Sequence, residues 1–195
     1  MVLRLLLFMS VFLAVSAAMA LEEPDYEVVD EKAGYEIRDY PPYVVAEVDV
    51  VGQSADRKGF RALAAYIFGD NDSSEKMQMT APVESRETED NGAMTYRFVM
   101  ESKYTLETLP KPNDDRIQLR EKPARIVAVR RFSGRWSDAN VKKNEARLLS
   151  DLARDGVELA GTPELARYNS PFTPWFMRRN EVMVPISWPA LTNLP

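Results

Sequence analysis

The chain has 195 residues, 45% of them apolar, which is enough to bury a core and rules out disorder and fibres. Its 25 Lys and Arg face 30 Asp and Glu, a formal charge of -5, the wrong sign for a general nucleic-acid binder. It contains no Cys and no His, which removes disulfides, thiolate zinc centres, iron–sulfur clusters, Ser–His or Cys catalysis and histidine-ligated metals.

In chain order, the first twenty residues read as an export signal. Arg4 supplies the positive start, Leu5 to Val15 an apolar run, and Ala18-Met19-Ala20 a small-x-small cleavage site. The mature chain is then expected to start at Leu21 as a soluble acidic periplasmic protein. A retained membrane anchor is the other reading, but the apolar run is shorter than the roughly 20 residues a spanning helix needs, and no later run is long enough.

Period-two alternation marks strands at Tyr35–Tyr40, Tyr43–Val51, Met94–Met100, Ile117–Arg120, Arg125–Phe132 and Glu181–Ile186, within a total of about eight or nine. Pro185 is expected to put the last of these at an edge or a strand end. A first amphipathic helix runs from Ser54 as N-cap to Gly69 as stop, with Phe60, Leu63, Ala64 and Ile67 on one face and Arg57 and Arg61 beside it. A second runs from Ser137 to Gly156 around Val141, Leu148, Leu149 and Leu152. Asp70 to Glu75 superficially resembles a calcium loop, but it lacks the sixth-position glycine and has Ala81 at the twelfth position, so a polar turn is expected.

Laid over Ile117–Asp138 at an offset of 82, Tyr35–Asp56 matches at Arg38/Arg120, Pro41/Pro123, Val45/Val127, Ala46/Ala128, Gly52/Gly134 and Asp56/Asp138, six identities in 22 positions. In both copies a hairpin is expected to run through a glycine turn into a capped helix. The chain thus reads as a signal peptide, residues 1–20, and one domain, residues 21–195. That domain holds two similar strand-strand-helix-strand-strand halves, at about 26–104 and 115–188, with a ligand pocket where they meet.

Lys76-Met77-Gln78-Met79-Thr80-Ala81-Pro82-Val83 after Tyr66-Ile67-Phe68-Gly69-Asp70-Asn71, with Tyr168-Asn169-Ser170-Pro171-Phe172 and Arg179-Asn180-Glu181-Val182, resembles the SOUL haem-binding protein family. Tyr26-Glu27-Val28 and Tyr35–Tyr40 resemble its opening strands. The resemblance implies an α+β fold in which two pseudo-symmetric halves form a distorted antiparallel β-barrel with two flanking helices, related to gyrase-inhibitor-like effector-binding domains. It also implies a haem or other tetrapyrrole against the first helix, held by apolar contacts and by basic side chains near the propionates. Arg57 and Phe60 match the family's basic and apolar contacts, Arg61 or Lys58 can assist, and Ala65 stands where animal members can carry a second basic residue. Leu63 and Ala64 share the helix's apolar stripe, which such a helix buries in any case.

With no His or Cys, iron is left with Met, Tyr or Lys side chains. Met77 and Met79 alternate on one face of an expected strand and suit an irregular apolar pocket, although Met is more often core filler. Trp175 and Arg178 lie in a proline-punctuated aromatic loop that serves either as a lid over a flat ligand or as a pinned connection. A haem without a strong protein ligand suits a reversible carrier or scavenger. The alternatives are a pocket protein for another hydrophobic small molecule and, less favoured, a small-molecule hydrolase, for which no catalytic residue or metal site stands out.

Overall fold

The computed structural model describes residues 21–52, 54–88 and 92–188; the expected signal peptide lies outside them. Ten strands and two helices follow in the order β1 (Glu27–Lys32), β2 (Tyr35–Tyr40), β3 (Tyr43–Val50), α1 (Ala55–Ile67), β4 (Val83–Glu87), β5 (Met94–Val99), β6 (Ile117–Lys122), β7 (Arg125–Phe132), α2 (Asp138–Arg154), β8 (Glu158–Leu159), β9 (Glu164–Arg167) and β10 (Asn180–Ser187). All pairings are antiparallel, in the order β1-β2-β7-β10-β9-β4-β5-β3-β6, with β8 also on β10. This is the expected α+β class with two helices. The expected barrel is not closed, because among the described residues β1 and β6 end the path without pairing with each other.

The two expected hairpins take a different form. β2 does not fold back on β3, nor β6 on β7; β2 pairs with β7, and β6 with β3. Pro41-Pro42 and Pro123 stand at the two corners, where a fixed φ and a missing N–H favour a change of direction over a tight paired turn. The exchanged registers match across the offset of 82: Arg38 faces Val127 while Arg120 faces Val45, and Ile37 faces Ala128 while Leu119 faces Ala46. The halves are thus pseudo-symmetric, and each gives its first strand to the other.

Strand alternation sorts the side chains into two faces. On one, α1 packs Leu63, Tyr66 and Ile67 onto Ala46, Val48, Tyr96 and Phe98, while α2 packs Leu148 and Leu152 onto Ile37, Ala128, Val182 and Val184. Each fully buried side chain of this size contributes about 1.5–3 kcal/mol. The opposite face carries Tyr40, Val127, Val129, Ala166 and Met183, together with the charged residues described below.

Three further local expectations are corrected. β10 lies between β7 on one side and β8 and β9 on the other, not at an edge. Pro185 is accommodated because its carbonyl, and hence its missing N–H, face the gap between the end of β9 at Met183 and the start of β8 at Ile186; Ala160 N–H donates to that carbonyl. Ser54 precedes α1 in a left-handed conformation with no side-chain cap, whereas Ser137 does cap α2 by accepting from Asn140 N–H. Met77 and Met79 lie in no strand; Met77 N–H donates to the Ile67 carbonyl, folding this segment under α1. The expected polar turn forms around Asn71, whose amide donates to the carbonyls of Tyr66 and Glu75 and accepts from Glu75 N–H.

Candidate ligand-binding site

The sheet face away from the helices is filled by ion pairs and tyrosines. Glu181, fully buried, accepts a two-pronged hydrogen bond from Arg38 at 2.9 and 3.2 Å and single bonds from Arg179 Nε and the Tyr168 hydroxyl, both at 2.9 Å. Burial alone would raise its pKa, but Arg38 and Arg179 hold it below the usual carboxylate range. Glu84 accepts from the Tyr43 hydroxyl at 2.6 Å and Lys122 at 2.7 Å, and Lys122 also bonds Glu164, which pairs with Arg97. Burial opposes the Glu84 charge as well, yet Lys122 and Arg125 bring its pKa down to about 2. Each of these carboxylates is paired with cations or hydroxyls, several of them from the opposite half, so this face ties the halves together.

The helix-covered face differs at the seam between α1 and α2, where both helix N-termini approach Tyr96. Asp56 and Asp138, in the first turns of α1 and α2, both help burial to push the Tyr96 hydroxyl pKa upward. Gly59 lets α1 seat closely here, since a Cβ would fall 2.4 Å from Tyr96 Cδ2. Arg167, on β9, pairs with Asp56 at 2.7 Å and lies 5.8 Å from the Tyr96 ring centre and 5.4 Å from that of Trp136. Arg178 lies 4.2 Å from the Trp136 ring centre. Trp136 is fixed by donating its indole N–H to buried Asn180 at 2.6 Å, and Gly134 N–H donates to the Trp175 carbonyl. The start of α1, the turn before α2 and the 171–178 loop are therefore one connected structure.

That loop carries Phe172 (94% exposed), Trp175 (51%), Phe176 and Met177 outward, with Trp175 and Phe176 in edge-to-face contact. It is braced from within, because the Arg178 guanidinium donates to the carbonyls of Thr173 and Pro171. An exposed aromatic patch braced by the Arg178 side chain is suited to receive a flat ligand.

Among the residues expected from sequence, Arg57, Phe60 and Arg61 are exposed along α1, and Phe60 meets Phe98 edge-on at 5.3 Å. Trp175 and Arg178 belong to the loop tied to the start of this helix. Leu63, Ala64, Met77 and Met79 pack instead in or against the core beneath α1, and Leu63 and Met77 are buried there. An apolar stripe on a surface helix seats that helix on its sheet before it can serve a ligand. Asp56, Tyr96, Trp136 and Arg167 were not singled out as ligand contacts; Asp56 stood out only as a repeat match.

A recess of about 560 Å³ lies elsewhere, lined by Glu22, Glu23, Asp25, Glu101, Glu107 and Glu121 among others. It contains none of the expected site residues, and its charge repels an anionic ligand. No cluster of three or more Asp and Glu suited to a metal occurs among the described residues. The chain's Ser-x-x-Lys spacing, Ser73 to Lys76, lies in the exposed polar turn, where the serine hydroxyl donates to Asn71. No helix of the described residues is long and apolar enough to cross a membrane.

The chain is 30% identical to heme-binding protein 2 of Homo sapiens, covering 85% of this chain and 90% of the relative. It is 28% identical to heme-binding protein 2 of Mus musculus, covering 87% and 92%. Among solved structures, the EcmrR C-terminal domain aligns with a TM-score of 0.62 at 10% identity, covering 83% of this chain and 98% of that one. A hydrolase from Listeria innocua aligns at 0.59 with 15% identity, covering 82% and 94%. At these identities the structures show a shared effector-binding type of fold and nothing of function. The profile described as SOUL heme-binding protein matches residues 21–185, so the chain belongs to the SOUL haem-binding family.

Proposed function

We propose that this protein binds haem or a related tetrapyrrole reversibly, as a carrier or scavenger, on the outer face of α1 and against the 171–178 loop. The observation that carries the reading is the junction of two surfaces. The exposed Arg57, Phe60 and Arg61 of α1 and the exposed Phe172, Trp175 and Phe176 are joined through Asp56, Arg167 and Trp136. Arg57, Lys58 and Arg61 are exposed without an ion-pair partner among the described residues, leaving cations for two propionates beside aromatic side chains for a macrocycle.

The residues fit the macrocycle better than they fit its iron. No His or Cys exists, and the Met77 thioether is packed in the core, so aromatic and cationic contacts would hold the ligand. When bound, haem would supply only the cargo; this chain's residues orient it and bind its carboxylates. Reversible holding matches transport rather than turnover, and no residue is assigned a catalytic role. In this reading residues 1–20 are a cleaved signal peptide, the mature protein is periplasmic, and residues 21–195 form one domain with an internal repeat. The matched registers of β2 on β7 and β6 on β3 support that repeat.

Titrating haemin and iron-free protoporphyrin IX into the protein, followed by Soret absorption and Trp quenching, tests the reading. Similar micromolar affinity for both is expected, with a several-fold loss in Trp175→Ala. Arg57→Ala should weaken binding by about two- to fivefold, the range of an exposed charge contact. Absence of binding by either porphyrin refutes the proposal and leaves another hydrophobic ligand as the reading to pursue.

A further inference from the structure

Arg86, Arg125, Arg130 and Arg167 each have a buried guanidinium nitrogen without a hydrogen-bond partner among the described residues; Arg167, at the helix seam, is the most buried of the four and more thinly paired than the best-satisfied buried cations. Arg38 faces Glu36 and Glu181, Arg97 faces Glu47 and Glu164, and Lys122 faces Glu84 and Glu164. Arg167 has a single ion pair, with Asp56, and the two side chains are 9% and 62% exposed. Its Nε is buried without a hydrogen-bond partner. A guanidinium carries five N–H donors and loses much of its hydration on burial, so one mostly hydrated carboxylate leaves it under-satisfied.

The surroundings select the sign and shape of what could satisfy it. α1 has 13 residues, and its first turn has no side-chain cap, so backbone N–H groups at Asp56 and beyond add positive potential at the same point. α2 ends at the same seam but is capped by Ser137. The Trp136 ring, partly exposed, lies 5.4 Å from the Arg167 guanidinium and provides an aromatic wall, whereas Tyr96, 5.8 Å away, is buried beneath α1. Asp56, itself 62% exposed, is held by Arg167 and by the Tyr96 hydroxyl, and a carboxylate this hydrated exchanges readily.

We propose that Arg167 is the carboxylate-binding residue of this seam, for a flat aromatic acid, and that Asp56 is a resident competitor which the ligand's carboxylate displaces. The inference rests on the tetrapyrrole reading for its natural ligand, whose propionates supply such a carboxylate, but it is stated for the wider chemical class. Displacement exchanges one carboxylate for another on Arg167. The charge contact therefore changes little, while the ligand gains stacking area on Trp136. Removing the Asp56 charge frees Arg167 and favours an acid over its uncharged analogue.

Two probe pairs test this in the full chain by fluorescence: protoporphyrin IX with its dimethyl ester, and 1-pyrenebutyrate with 1-pyrenebutanol. Asp56→Asn, at an exposed position where the amide oxygen can still accept from the Tyr96 hydroxyl, is expected to tighten binding of both acids by about three- to tenfold, the effect of one competing charge near a helix N-terminus. The ester and the alcohol should be unchanged. In Arg167→Met the preference for acid over neutral analogue should fall to near unity, and adding Asp56→Asn should bring no further gain. If protoporphyrin binds but Asp56→Asn leaves its affinity unchanged, lowers it, or tightens the ester equally, the Arg167 proposal is overturned and the tetrapyrrole reading stands. If only the pyrene acid binds, and with the expected Asp56→Asn gain, the proposal stands and the tetrapyrrole reading falls. Binding of neither acid overturns both.

Discussion

Glu84 provides a quantitative test of the ion-pair network that joins the halves. Its carboxylate is 1% exposed and held by Lys122 and the Tyr43 hydroxyl at hydrogen-bond distance, with Arg125 at 3.9 Å. Its pKa falls from the ordinary 4.5 to about 2 in the folded protein. The ionised form is thus favoured by folding. The stabilisation is fully present above the unfolded value and is lost as pH falls through the interval from 4.5 to about 2. At roughly 1.4 kcal/mol per pH unit the shift corresponds to about 3 kcal/mol. Glu84→Gln keeps the shape but leaves Lys122 and Arg125 short of a counter-charge, and is expected to destabilise the fold by about 3 kcal/mol at pH 7, within the range for breaking a buried pair. The assay is urea unfolding followed by Trp fluorescence, in wild type and variant, from pH 7 down to 2.5. The stability gap between the two should narrow steadily below pH 4.5, where the wild-type carboxylate is protonated in the unfolded chain but still ionised in the folded one. Parallel curves, with the gap at pH 2.5 equal to that at pH 7, would refute an electrostatic role for Glu84 and assign its effect to packing.

Other outcomes follow from the same geometry. Gly59→Ala forces a Cβ to within 2.4 Å of Tyr96 Cδ2 and should cost about 1–3 kcal/mol by overpacking, read as a lower thermal midpoint; restoration by Tyr96→Leu would identify the contact. Tyr35 donates to Asp155 at 2.9 Å, and burial first, then Asp155, pushes its pKa up to about 12. Its contribution is present below pH 10 and lost as pH rises toward 12, so Tyr35→Phe should flatten the alkaline stability profile in that window. Asn180→Ala removes the acceptor of the Trp136 indole and should destabilise by about 1–3 kcal/mol, with a shift in Trp emission as that ring gains solvent.

The sequence by itself determined the elements whose signal is local. Arg125–Phe132 forms as its alternation indicates, and α1 and α2 stop near Gly69 and Gly156, whose positive φ of 111° and 69° suits glycine. The stripe Leu63 and Ile67 also faces the core as the helical period requires. Local pattern could not decide which strand pairs with which. The proline corners that look like hairpin turns send β2 and β6 into the opposite half, and Pro185 sits in a central strand because a gap between two partners covers its missing N–H. The same limit applies to the site. The exposure of Arg57, Phe60 and Arg61 was legible because an amphipathic helix shows its outer face in its own sequence, whereas the packing of Leu63, Ala64, Met77 and Met79 in or against the core beneath α1 depends on the sheet. Arg167, Trp136 and Asp56 come from three distant segments, and their contact exists only because the pseudo-symmetric halves bring both helix N-termini to one seam. Period and composition fix which faces a chain must bury; only the pairing order of the strands decides which charges and rings those faces leave beside one another.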